Sequence, residues 1–139
     1  MIAPGVATSF KMELFSGLHE FLVDQFYIAL YTSDADLSPD DTTVYTTEGE
    51  AAGDGYQAGG RLLTGVQIFG AARIACATWD DPVWPAPTLT ARGALIYNQS
   101  REQRAVAVLD FVNDQTSNQG EFRILFPPAA PATALIRIL

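Results

Sequence analysis

Asp34, Asp36, Ser38 and Asp40 place oxygen-bearing side chains at alternate positions, the spacing of the first half of a calcium-binding loop. The pattern then breaks. Pro39 stands where the turn glycine belongs, and Tyr45 takes the place of the bidentate glutamate. A solvated acidic turn is the reading that remains. In "GYQAGGRL" (55–62) the glycines have phosphate-loop spacing, but Arg61-Leu62 replaces the required Lys-Ser/Thr. That segment reads as a turn entering a strand.

His19 is the only histidine. Ser16, Ser100 and any aspartate could complete a Ser-His-Asp set on paper, but no nucleophile motif selects among them. A histidine closing a helix, where positive charge is favoured, is the plainer account. Asp80 and Asp81 suggest paired carboxylates, yet neighbours on an extended chain point to opposite sides, and aspartate before Pro82 marks a turn. Trp79 and Trp84 flank that turn and either stack a sugar or anchor the turn. No set of residues here specifies catalysis, so the chain reads as non-enzymatic, with no cofactor or metal.

The elements that carry these residues are mostly strands. One helix is expected, with Ser9 as N-cap, Phe10, Leu14 and Leu18 at a spacing of four, Glu13 favourably near the positive end of its dipole, and Gly17 as stop. Strands are expected at 25–32, 61–69, 72–79, 88–97, 104–111, 121–126 and 133–138. Residues 80–87, 98–103, 113–120 and 127–131 separate the later ones. Seven short strands with a small helix predict a mainly β, antiparallel β-sandwich forming one domain over 1–139. Residues 1–8 read as an N-terminal arm and the acidic, glycine-rich 33–60 as a long contact loop.

In "ARGALIYNQSREQRAVAVLDF" (91–111) two strands are apolar at odd and even positions alike. A turn centred on Arg101 pairs Tyr97 with Ala105, Leu95 with Ala107 and Gly93 with Leu109. The other face pairs Ile96 with Val106, Ala94 with Val108 and Arg92 with Asp110. The odd face is expected to meet the opposite sheet, and the even face the helix or another subunit.

Sixteen acids stand against seven arginines and one lysine, Lys11, for a net charge of -8. Such a chain repels phosphate backbones, so nucleic acid is not an expected partner. Arginine in place of lysine suits packed interfaces or reflects a GC-rich genome. Cys76 is alone and reads as a small buried hydrophobe. Neither a secretory signal nor a membrane span is read, so a soluble intracellular product is expected.

The run "TARGALIYNQSREQRAVAVLDF", with "DDPVW" before it and "FRILFP" and "ALIRI" after it, resembles a family of small virion structural proteins of tailed bacteriophages. "FYIALYTSDADL" and "GDGYQAGGRLLTGV" look like the same family's N-terminal half, so the resemblance spans roughly residues 10 to 138. It implies a β-rich, non-enzymatic, repeated virion component. The leading version is a capsid decoration (cement) protein binding the major capsid protein and forming a homo-oligomer. A tail, collar or neck component (ring or fibre adaptor) is the alternative, and a carbohydrate-binding module using Trp79, Trp84 and Tyr56 a further one. The partner contacts expected are Asp34, Asp36, Asp40, Tyr45 and Tyr56 in the loop, with Arg61, Trp84, Arg123 and Arg137 beyond it.

Overall fold

The computed structural model describes residues 1–138. In chain order these form β1 (Gly5–Val6), α1 (Thr8–Phe15), β2 (Phe26–Tyr31), β3 (Arg61–Leu62), β4 (Gln67–Ala71), β5 (Ile74–Thr78), β6 (Val83–Trp84), β7 (Thr88–Asn98), β8 (Arg104–Asn118), β9 (Phe122–Arg123) and β10 (Ile136–Ile138). The strands pair antiparallel throughout, in a five-stranded sheet of order β1-β8-β7-β2-β3, a three-stranded sheet β10-β5-β4 and a two-stranded β6-β9. The fold is mainly β with one short helix, as the sequence predicts.

The differences lie in how strands divide and extend. The expected strand 61–69 is interrupted at Gly65, whose positive φ of 67° and close approach to Asp80 turn the chain between β3 and β4. β8 runs on through polar residues read as loop. Its outer half forms an exposed ribbon with the start of β7, where Thr90 and Thr116 hydroxyls meet at 3.0 Å. Leu89 and Ala91 of β7 are buried there, but residues 113–118 of β8 are all polar, so this half of β8 leaves no hydrophobic period to detect.

α1 starts earlier than expected. Its N-cap is Ala7, with no side-chain cap; the Pro39 carbonyl accepts the Thr8 N–H at 2.9 Å instead. Ser9 sits inside the first turn, where its hydroxyl is buried without a partner. Glu13 falls near the C-terminal end, where the dipole does not favour it, and is held by His19 and Arg104. Gly17 does stop the helix. At φ +76° it lets its own N–H reach the Leu14 carbonyl (3.2 Å) and the Leu18 N–H reach Glu13 (3.1 Å), a Schellman ending. Leu18 and His19 therefore lie beyond the helix.

The β7–β8 hairpin keeps the expected register only near its turn. Tyr97 opposes Ala105, but Val106 is an extra residue on β8, and from there Ile96 opposes Ala107, Leu95 opposes Val108, Ala94 opposes Leu109 and Gly93 opposes Asp110. Large still meets small in most pairs, so a one-residue bulge preserves volume matching while changing every partner. A second irregularity sets Phe111–Asp114 against Arg92 alone, since Ala91 opposes Gln115. The Arg92–Asp110 ion pair forms regardless, at 3.2 Å.

Both faces of this sheet are covered, and it is the odd one that departs from expectation. Tyr27, Ala29 and Tyr31 of β2 share a face with Tyr97, Leu95 and Gly93. The 33–60 loop covers that face rather than an opposite sheet: Tyr31 donates to the Thr46 carbonyl (2.6 Å), Tyr97 to Gly59 (2.5 Å), and Tyr45 stacks on Tyr97 at 4.8 Å. Phe26, Ile28 and Leu30 share the other face with Asn98, Ile96 and Ala94. There Phe26 meets Phe21 (4.7 Å) and Trp79 (5.4 Å) below α1, and the three-stranded sheet follows. Helix and small sheet thus close the even face within one chain.

Neither the N-terminal segment nor the long loop is free of this body. Ile2 and Ala7 are buried, and Ala3 and Leu37 exchange backbone bonds with the loop and the terminus. Ala35, Leu37 and Ala51 of the loop join the core. Gly60 at φ +81° lies so close to β2 that a Cβ there would collide with the Ile28 carbonyl.

Candidate functional site

Three polar clusters stand out; the first two are closed on themselves, and the third is committed to backbone groups with Arg61 and Asp80 exposed. The first lies below α1. His19 is fully buried and contacts Glu13 Oε1 at 2.8 Å and Asn98 Nδ2 at 2.9 Å; Glu13 Oε2 accepts from Arg104 at 3.2 Å. The same Asn98 amide donates to Asp24 (2.8 Å), which Arg101 clasps at 3.1 Å. With its ring sealed from solvent, His19 has no path to a substrate, and the arrangement works as a clamp on the hairpin turn.

Burial opposes the charge on Asp24, but hydrogen bonds from Asn98, the Glu20 N–H and Arg101, with the arginine's charge, outweigh it and hold the carboxyl below the usual carboxylate range. A depressed folded-state pKa adds stability that is complete above the unfolded value near 3.9 and is lost as pH falls through the folded one. Urea unfolding measured below about pH 4 is expected to show a shallower acid loss in Asp24→Asn than in the parent. Equal slopes would sink this assignment.

The second cluster surrounds Glu50. Tyr45 and Tyr56 each donate to its carboxylate at 2.5 Å, and the Gly59 N–H adds a third bond at 2.8 Å. These pin the loop to the sheet. In the third, Arg61 donates to the Val83 carbonyl and lies over the Trp84 ring at 5.9 Å, while Asp81 accepts from the Phe126 N–H at 2.8 Å. Asp80 instead packs against Gly65, so the two carboxylates are committed separately.

The residues expected to contact partners divide accordingly. Asp34, Asp36 and Asp40 are exposed but do not converge: Asp36 lies 3.8 Å from the terminal amine and Asp40 accepts from Thr8 at 2.8 Å. Among the described residues no three potential metal ligands gather. Tyr45 and Tyr56 turn inward to Glu50. Trp84 is buried beside Phe122, and Trp79 is buried as well. Arg123 is exposed and pairs with Glu121 at 2.8 Å; Arg137 is exposed and donates to the Ala132 carbonyl at 2.8 Å.

An apolar surface lies elsewhere. A groove of about 530 Å³ runs between α1 and β10, lined by Val6, Phe10, Lys11, Leu14, Phe15, Ile136, Arg137 and Ile138. Phe10 and Leu14 turn inward, whereas Met12 and Phe15 stand 68% and 96% exposed on the outer face of the same helix. Ile68 and Ile138 extend the apolar surface onto the small sheet. β10 is an edge strand, its outer side without a strand partner among the described residues. Of these residues only Arg137 is among the contacts expected from the sequence. The available signal was that Met12 and Phe15 place large apolar side chains on the face of α1 opposite Phe10 and Leu14.

No protein-family model, curated protein or solved structure matches the chain. Among the described residues no helix is long and apolar enough to cross a membrane.

Proposed function

We propose that the chain is a non-enzymatic structural component of a tailed-bacteriophage virion, in particular a capsid decoration protein seated over junctions between major capsid subunits. The observation that carries this reading is the contrast between closed polar clusters and an open apolar groove. Side chains that could do chemistry are held by one another, while large apolar groups on α1 and β10 stand in water. A surface of that kind serves docking. The resemblance of the strand and turn segments to small virion proteins supplies the particle.

The mechanism is mass action: a protein that binds the mature lattice and not its dissociated subunits stabilises the lattice. A net charge of -8 favours the outer surface over contact with packaged DNA. Cofactor, metal and membrane have no part in this reading. The carbohydrate-binding alternative needs an exposed aromatic face, and both indoles are buried.

Purified chain added to particles assembled without it is expected to place density on the capsid shell and raise the temperature at which DNA escapes. Phe15→Asp should lose both effects. Density confined to the tail, collar or neck would replace the decoration role with the tail-associated one, and absence from the particle would overturn the proposal.

A further inference from the structure

The groove between α1 and β10 has a rim of one sign. Its charged lining residues are Lys11 and Arg137, and neither pairs with a carboxylate among the described residues. Arg92, Arg101, Arg104 and Arg123 each hold a carboxylate within 3.2 Å, while Arg61 and Arg73, away from the groove, are like Lys11 and Arg137 without one among the described residues. Two cations without a carboxylate partner among the described residues thus flank an apolar floor in a chain of net charge -8. An apolar side chain with an acid beside it complements both features.

Such a group is present on β8. Within the stretch that opposes Arg92, Val112 sits at φ +73°, a left-handed conformation that strains a β-branched residue. Asp110 fixes it by accepting the Val112 N–H at 2.9 Å. The strain is not offset by burial, because Val112 is 66% exposed. Asp114 is also exposed and has no ion-pair partner among the described residues. Neither residue lines the groove of its own chain.

We infer that the groove of one copy receives the Val112 bulge of a second copy, with the second copy's acid at position 114 facing Lys11 and Arg137. The contact joins two different surfaces, so repetition closes a ring or extends a filament. Groove-on-groove pairing would instead set two cationic rims against each other. The inference rests on the same groove that the virion reading assigns to docking and names a second copy as its occupant. Its test needs only the purified chain and so can fail without the particle experiment failing.

Sedimentation of the full chain across the micromolar range at low salt is expected to show a species heavier than the 15.0 kDa monomer, dissociating as salt rises. Val112→Gly removes the knob while suiting the left-handed backbone, so the fold is kept and association weakens on the order of thirtyfold. Lys11→Glu and Asp114→Lys should each weaken it, and the double exchange should restore it. Circular dichroism checks that each variant is folded. A monomer at every concentration would overturn the inference, as would association indifferent to Val112→Gly.

Discussion

Asn98→Ala is expected to lower the unfolding free energy by about 3–5 kcal/mol, a large part of the roughly 5–15 kcal/mol that holds a domain together. Asn98 is fully buried at the end of β7. Its Oδ1 accepts the Ser100 N–H at 3.1 Å, which fixes the amide's orientation. Both hydrogens of Nδ2 are then committed, to His19 Nδ1 at 2.9 Å and Asp24 Oδ2 at 2.8 Å. This network assigns the His19 proton to Nε2, which donates to Glu13.

Alanine leaves the buried His19 ring nitrogen without a donor and removes from the Asp24 carboxylate one charge-assisted bond beside those from the Glu20 N–H and Arg101. Each loss costs about 1–3 kcal/mol, and the substitution opens a void. Chemical denaturation of parent and variant measures the difference. Ser100→Ala, at an exposed hydroxyl that accepts the Gln25 N–H at 2.8 Å, is expected to cost about 1 kcal/mol and serves as the control. A loss of under about 1 kcal/mol in Asn98→Ala would mean that the clamp contributes little to folding.

That clamp also marks where sequence reasoning stops. β2, β7 and the inner part of β8 are legible because branched and aromatic residues run continuously between turn signals. The hairpin register is legible only as far as Val106, since a bulge shifts every later pair and no residue type announces it. Residues 33–60 read correctly as loop, but their attachment depends on Tyr45 and Tyr56 meeting Glu50 and on Tyr97 from a distant strand. Long-range hydroxyl contacts carry no local period. For the same reason Tyr45, Tyr56 and Trp84, chosen as contact residues for their chemistry, prove to be packing groups. The groove was missed because the spacing of four describes only the inner face of α1, whereas Met12 and Phe15 point the other way.

Above about pH 10 the protein is expected to lose stability steeply and unfold cooperatively. Burial first, then the charge of Glu50 and the neighbouring Tyr27, pushes the Tyr97 hydroxyl from 10.0 up to about 12. Tyr31, Tyr45 and Tyr56 are raised as well, chiefly by burial, and Glu50 adds to each. The folded state therefore keeps protons that the unfolded chain releases near pH 10, and stability complete below that value falls as pH rises through the folded-state values.

Each fully buried tyrosine contributes up to about 1.4 kcal/mol per pH unit in that interval. Unfolding free energies followed upward from pH 9, with tyrosinate absorbance recorded in parallel, should show ionisation and unfolding together. Tyrosines ionising one by one near pH 10 in a protein that stays folded would contradict the cluster. Tyr56→Phe, which removes one of the protons held by burial and Glu50, should make the alkaline loss shallower. It should also weaken the loop, because Glu50 and the Leu30 N–H both lose the hydroxyl as a partner. Ionisation would place new charge against Glu50 in the cluster that ties the 33–60 segment to the sheet. The loop should therefore come away with the fold, whereas a free contact arm would stay mobile at any pH.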